Sequence, residues 1–313
     1  MNRPTVQQLR YAVAVADERH FGRAAQACFI SQPALSNQIR ELETKLGAQL
    51  FERTNRGVLV TPAGEEVVAR ARRILSELDD LCEAAGDAGG ELGGSLRLGV
   101  IPTIAPYVLP RAIPLVERAH PGVELYLRED RTESLIAQLQ AGELDLLLLA
   151  LPLHRPGIDE LALYDEPFLL AVPERHPLAR GRRPALSALT HERLVLLEEG
   201  HCLRDQALAV CELAGHDGTV EVQGTSLPTV VQMVGSGLGV TLLPATAIER
   251  DVHPGERVVV RELRPDVPTR TVGLAWRSSS ARADSYRALG EAIAEAGRAG
   301  MAALTGASKA SGA

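Results

Sequence analysis

Over the first sixty residues the apolar positions recur at helical spacing in three short runs. Val6, Leu9, Val13, Val15 and Ala16 predict a first helix, and residues 22–27 a second whose Ala24-Ala25 pair admits a close neighbour. Leu35, Ile39 and Leu42 form the inner face of a third, capped by Ser31 and tolerant of Pro33 because the first turn has no use for the missing N–H. Residues 50–61 then predict a two-stranded wing. From Pro62 a single helix follows, with Val67, Ala71, Ile74, Leu78 and Leu81 spaced alternately by four and three. That is a heptad seam for a second chain, or else the face of one amphipathic helix lying on its own domain. Residues 85–94 are Gly-rich and read as a connector.

After Ser95 the pattern alternates strand and helix: strands at 96–101 and 123–128, helices at 104–119 and 133–140, and a strand at 144–151 that is apolar throughout, as a buried parallel sheet requires. Residues 163–167 lead into a second unit, with strands near 168–172, 194–197 and 220–223, a helix at 229–234 and a strand closing 235–244. A strand at 271–276 returns to the first unit, followed by a helix at 282–295. The expected fold class is α/β, in three parts: a winged helix-turn-helix at 1–61, a linker and dimerisation helix at 62–90, and at 91–300 a two-lobed α/β sensor of the periplasmic-binding-protein type. Lobe I takes about 95–165 and 271–300, lobe II about 166–270, and the cleft between them lies at carboxyl ends of strands. The Ala, Gly and Ser residues of 301–313 read as a disordered tail.

With 313 residues, 45% of them apolar, more than one core can be buried. No signal-peptide pattern opens the sequence, and the longest apolar run, 146–153, is too short to cross a bilayer. Four scattered cysteines make no disulfide framework, and no His/Cys group has metal-ligand spacing. A cytoplasmic protein without metal or cofactor is therefore expected. The net charge of −7 argues against nucleic acid until its distribution is seen. Residues 1–61 hold 8 Lys+Arg against 5 Asp+Glu, whereas 62–90 hold 3 against 7 and the remainder 22 against 28. Only the first segment has the sign that a phosphate backbone favours.

In that segment Ser31, Gln32, Pro33, Ser36, Asn37, Gln38 and Arg40 are left on the outer face of the third helix, with Arg53, Asn55 and Arg56 at the wing. Gln, Asn and Arg can make bidentate contacts to base edges in the major groove, Ser can reach phosphate, and a wing can touch the backbone or minor groove. The bland alternative is a packing module with a solvated polar face. Cys28, at the turn between the second and third helices, reads as core, and Cys82, beside the seam, as structural.

The candidate chemistry lies in Glu199-Gly-His-Cys-Leu-Arg-Asp-Gln-Ala-Leu-Ala-Val-Cys-Glu-Leu-Ala-Gly215. Leu203, Ala207, Val210 and Ala214 predict a helix ending at Gly215, which puts Cys202 in its first turn. Free N–H groups and the positive helix end stabilise a thiolate there, with Arg204 and His201 adjacent. Nine residues of helix rise about 13.5 Å, so Cys202 and Cys211 on one helix cannot bond until it unwinds, and such a disulfide would be a switch by geometry alone. Alternatively, both are ordinary small residues of a buried helix face.

The string Gly200-His-Cys-Leu-Arg-Asp-Gln-Ala207, with a second cysteine nine residues after the first, resembles the sensing segment of the hydrogen-peroxide-responsive LysR-type transcriptional regulators. Ser31-Gln-Pro-Ala-Leu-Ser36 and Leu50-Phe-Glu-Arg53 resemble the winged helix of the same family. The resemblance implies that Cys202 is oxidised to a sulfenic acid and captured by Cys211, and that Thr103, Thr132 and His201 help to place peroxide near the sulfur. Either threonine could instead be a helix cap, His201 a donor to backbone, and Arg204, Asp205 and Arg270 either surface ion-pair members or contacts that hold the reduced loop. Implied partners are an operator with two-fold-related half-sites, further copies of the chain as a dimer or tetramer, hydrogen peroxide as signal, and RNA polymerase. Two other readings remain at this point: a LysR-type regulator of an organic effector in the cleft, with incidental cysteines, and a thiol peroxidase, which leaves residues 1–61 without a purpose.

Overall fold

The structure is a computed structural model that describes residues 3–54, 57–86, 93–216, 220–253, 255–264 and 267–310. They form two compact units. The first holds α1 (Val6–Glu18), α2 (Phe21–Ala27), α3 (Gln32–Leu46), the antiparallel wing β1 (Phe51–Thr54) and β2 (Gly57–Val60), and α4 (Pro62–Gly86). Thr5 closes a capping box with Gln8 at the start of α1, and Ser31 accepts from the Ala34 N–H at the start of α3. Ala12, Val15, Ala24, Leu35, Ile39 and Leu42 meet in one core.

The linker helix shares that core. Val68 and Ala71 of α4 are buried in it, with Val67 and Leu75 packed alongside, while Ile74 is 51% and Leu81 65% exposed. The early turns of this helix therefore belong to their own domain, and Ile74 and Leu81 remain as an apolar edge. The side chain of Cys82, most of the 85–94 connector, and Asn55 and Arg56 lie outside the described residues.

The second unit opens with β3 (Gly94–Val100), α5 (Ala105–Ala119), β4 (Val123–Glu129), residues 132–136 of α6 (Thr132–Gln140) and β5 (Leu146–Leu151), with β3 parallel to both β4 and β5. β6 (Ile158–Pro173) follows, then β7 (Leu194–Leu197), α7 (Cys202–Leu213), β8 (Val220–Gly224), α8 (Leu227–Gly235), β9 (Thr241–Pro244), α9 (Ala245–Asp251), β10 (Val258–Arg261), β11 (Thr269–Arg277) and α10 (Ala283–Ala310). β11 runs antiparallel between β5 and β6, so the sheet is mixed rather than purely parallel.

Two expectations are corrected here. The passage between lobes is one continuous strand, since β6 pairs with β11 through Pro167 and with β9 and β10 from Phe168 onward. Residues 163–167, expected only to lead into the second unit, are part of that strand, and at the last rung beside Thr269 the missing N–H of Pro167 interrupts nothing. The helix α10 also continues through the expected tail to Ala310, because Ala is the strongest helix former and Gly297 is held where a Cβ would meet the Tyr164 ring at 2.3 Å.

Lobe II has its own core, in which Leu170, Val195, Val231 and Leu243 meet Leu203, Ala207, Val210 and Cys211 of α7. Among the described residues no helix is long and apolar enough to cross a membrane.

Candidate functional site

Gly200 aims the start of α7. Its φ of +92° is a conformation that costs glycine nothing, and a Cβ there would meet the Arg131 guanidinium at 3.1 Å. The turn sets His201 as N-cap and Cys202 as the first helical residue, half-buried and free. Thr103 follows the end of β3 and Thr132 opens α6, so three separate elements deliver side chains to one place. Thr103, Thr132, His201 and Cys202 line a single crevice with Ile101, Pro102, Arg131 and Gly200, too narrow for a water-sized sphere.

The polar groups of the crevice are held in distinct states. Arg270 donates from Nη1 to Thr103 Oγ1 at 3.0 Å and from Nη2 to the Thr103 carbonyl at 2.9 Å. While accepting from Arg270, the Thr103 hydroxyl keeps its own proton to donate. The Thr132 hydroxyl is buried without a hydrogen-bond partner. It therefore does not cap α6, and an orphaned buried donor of this kind calls for a ligand. Burial first, and then the Arg131 charge, lower the His201 pKa from 6.5, which leaves a neutral ring at pH 7 able to donate from one nitrogen and accept at the other.

That depression has a sign. The unfolded chain takes up the His201 proton more readily, so this contribution to stability is present above pH 6.5 and lost as pH falls below it. The melting temperature is expected to drop between pH 7 and 5, with a smaller slope in His201→Gln. Equal slopes for the two proteins would show that the ring does not carry the effect.

Behind Thr103 lies a fully enclosed ion pair. Arg270 Nε donates to Glu166 Oε2 at 2.8 Å, and Glu166 Oε1 accepts from the Thr246 N–H at 2.8 Å and its hydroxyl at 2.5 Å. Arg270 and Glu166 are cross-strand partners at the rung next to the passage between lobes. Glu166 and Thr246 carry no sequence signal for this role. Arg131 was missed too; it pairs with Glu198 and sits against Gly200. Arg204 is nearly buried, with its Nη1 3.6 Å from the Glu199 carboxylate and without a hydrogen-bond partner, and it does not line the crevice. Asp205 is exposed and lines neither this crevice nor the larger cleft described below.

Cys211 lies nine residues along the same helix and fully inside the lobe II core. Burial, aided by the Glu212 charge, raises its thiol pKa to about 11, so it is a protonated bystander while α7 is intact. Iodoacetamide at pH 8 is expected to label Cys202 well ahead of Cys211 in the folded protein. Equal labelling, with only urea-unfolded protein as the reference for full access, would contradict the buried placement.

A larger cleft of about 540 Å³ adjoins the crevice, lined among others by Tyr107, Arg131, Ser226, Arg250 and Asp251. Tyr107 donates to Asp251 at 2.5 Å across it. Desolvation raises the pKa of both groups, so the hydrogen bond rather than a full charge separation ties α5 to α9. Among the described residues no group of His, Cys, Asp and Glu is placed to hold a metal ion.

On the N-terminal unit Ser31, Gln32, Pro33, Asn37 and Arg40 are exposed along α3 as expected. Two neighbours are not where the helix pattern put them, while Arg53 stays exposed on the wing. Ser36 is buried and accepts from Arg53 Nη2 at 2.9 Å, and the Arg53 guanidinium lies 4.2 Å over the Phe21 ring. The wing thus folds back over this part of α3, which a single-helix projection cannot anticipate. Gln38 is spent within the protein, on Gln8 and Glu41.

Residues 6–65 match the lysR-family bacterial regulatory helix-turn-helix protein, and residues 89–298 the LysR substrate binding domain. The chain is 44% identical over 288 residues to the DNA-binding transcriptional dual regulator OxyR of Escherichia coli strain K12, covering 92% of this chain and 94% of that one. A full-length OxyR from Pseudomonas aeruginosa, with a cysteine-to-aspartate change, superposes with TM-score 0.80 at 38% identity, over 94% and 95% of the two chains. A peroxide-bound cysteine-to-serine variant of Corynebacterium glutamicum OxyR superposes with TM-score 0.69 at 38% identity, over 97% and 96%.

Proposed function

Because the chain belongs to the LysR family of bacterial DNA-binding transcriptional regulators, among its OxyR members, we propose that it senses hydrogen peroxide at Cys202 and reports it through a reversible disulfide with Cys211. It is a regulator rather than an enzyme. The observation that carries the reading is the crevice in which Cys202 meets two hydroxyls and a neutral imidazole, one of the hydroxyls buried and unpartnered.

The Cys202 thiolate attacks one peroxide oxygen. The O–O bond breaks, a sulfenic acid forms at Cys202 and hydroxide departs. Thr103 and Thr132 donate to the two oxygens as negative charge moves to the leaving one, and His201 holds the pair in line. The turn at Gly200 opens to admit the molecule. Cys211, exposed when α7 unwinds, then attacks the sulfenic sulfur, forming the S–S bond and releasing water. A dithiol reductant returns both thiols.

On the DNA side, Gln32, Asn37 and Arg40 read base edges while Ser31 and the wing hold the backbone. The exposed Ile74 and Leu81 edge of α4 supports pairing with a second copy, so that two helix-turn-helix units meet two half-sites. The family likeness supports a tetramer and a contact with RNA polymerase, and the disulfide changes how the copies sit on DNA. The test is digestion without reductant and mass spectrometry after near-stoichiometric peroxide. A Cys202–Cys211 peptide within seconds is expected, and both thiols remaining free would end the peroxide reading.

A second reading is favoured by the 540 Å³ cleft, which is large enough for a small organic effector and carries both Arg131 and Arg250 and the carboxylates of Glu129, Asp130, Glu198 and Asp251. Thermal stabilisation by such a compound that survives Cys202→Ser would support it.

A further inference from the structure

Among the described residues of the N-terminal unit, the large apolar side chain most exposed to solvent is not on the linker helix. It is Phe29, 95% exposed at the turn between α2 and α3. Its backbone is also unusual, with a φ of +55°, a left-handed conformation that a bulky aromatic residue rarely adopts. The cause is local. The Phe29 N–H donates to the Gln26 carbonyl and the Ile30 N–H to the Ala25 carbonyl, both at 3.0 Å, which closes α2 with a left-handed residue where glycine or asparagine is usual.

Neither burial nor backbone preference explains a phenylalanine there. Its side chain packs in no core, and Ile30, the next residue, supplies the apolar contact to the unit. Strain that folding does not use is a pointer to function. Phe29 precedes the α3 N-cap Ser31 by two residues, at the end of the helix that enters the major groove in this motif. The exposed Gln32, Asn37 and Arg40 follow on the same helix.

We infer that Phe29 is a base-reading residue, which lays its ring against a thymine C5-methyl group at the edge of each half-site. The methyl is the one apolar feature of the major-groove edge, and an aromatic ring is among the groups that recognise it. The left-handed turn holds the ring clear of the protein surface, so no conformational change precedes contact. This rests on the reading of the helix-turn-helix as the DNA-binding element, and it adds a position at which sequence is selected.

The experiment uses the full-length reduced protein and its Phe29→Gly and Phe29→Asn variants, each put through selection from a randomised duplex library. Fluorescence anisotropy on the enriched duplex follows, with melting temperature and oligomer mass measured for each protein. Glycine and asparagine both accept the backbone conformation, so the melting temperatures are expected to be equal to or above wild type. The wild type is expected to enrich thymine at one symmetric pair of positions. The variants lose that enrichment and bind the duplex about 10-fold more weakly, within the range of a single base-pair mismatch. Unchanged affinity and base preference would overturn the inference. So would weaker binding with base preference intact, which would place the ring on sugar, and so would a change of oligomer mass, which would place it against another copy. Failure of the wild type to enrich any sequence would overturn the DNA-binding reading itself, a result distinct from these.

Discussion

Cys202→Ser is expected to abolish the intramolecular disulfide and to slow consumption of peroxide at least about 10³-fold, as removal of a nucleophile does elsewhere. The hydroxyl would occupy the same first turn of α7, beside the same two threonines and His201, so every contact to peroxide would remain. What is lost is a sulfur that can give up its electrons to the O–O bond. Cys211→Ser is expected to behave differently. It consumes one equivalent of peroxide at near wild-type rate and stops at a Cys202 sulfenic acid, which a dimedone adduct on the digested peptide would reveal. If Cys211→Ser were as slow as Cys202→Ser, the order of the two cysteines would be wrong. Cys211 is poorly placed for first attack because its thiol pKa is raised to about 11 inside the lobe II core. Drawing it out also strips Leu203 and Val210 of their packing, at roughly 1.5–3 kcal/mol for each side chain exposed. That loss favours the return of α7 as soon as the disulfide is reduced.

Glu166→Ala is the second substitution with a large expected effect, about 3–5 kcal/mol of lost stability, because it leaves the Arg270 charge buried and uncompensated. Both side chains are 0% exposed, and Glu166 also accepts twice from Thr246. The damage should reach the crevice, since Arg270 fixes Thr103 through two further bonds. Oxidation of Cys202 by peroxide is expected to slow about 10²-fold, the usual loss when a stabilising donor is displaced. Alkylation of Cys202 by iodoacetamide, which has no use for Thr103, should stay within a factor of two or so of wild type. Urea unfolding and the two rate measurements together check this. The double change Glu166→Leu with Arg270→Met, which removes both charges, should be less destabilising than Glu166→Ala alone. A Glu166→Ala protein as stable as wild type would refute the enclosed-pair account.

Much of this arrangement is legible in the residues and some is not, for physical reasons. The helix-turn-helix is readable because its signals are local: Ser31 at the N-cap, Pro33 in the first turn, and Leu35, Ile39 and Leu42 on one face. Ser36 and Gln38 are misread because whether a polar side chain faces solvent depends on what folds over it, here Arg53 of the wing and Gln8 of α1. Cys202 and Cys211 are recognisable from spacing and motif. The Glu166–Arg270 pair is 104 residues apart in sequence and visible only once β6 and β11 lie side by side. The unpartnered Thr132 hydroxyl likewise has no trace in the sequence, where a threonine opening a helix looks like a cap. The short α9 and β10, of seven and four residues, carry too few positions to show a period.

The 16-residue β6 bears on how a signal leaves the sensor. A pair of lobes joined by floppy segments behaves like a clamshell, and its output is an angle. Here the joint is a laminate, a continuous strand cross-linked to its neighbour by Glu166 and Arg270 at the fold line and backed by β9 and β10 beyond it. Such a beam resists bending and transmits little torque. On the proposed reading, the mechanical output of oxidation is therefore expected to be a change of relief on one face of lobe II, where α7 would unwind and its surface be recast, rather than a change of angle between lobes.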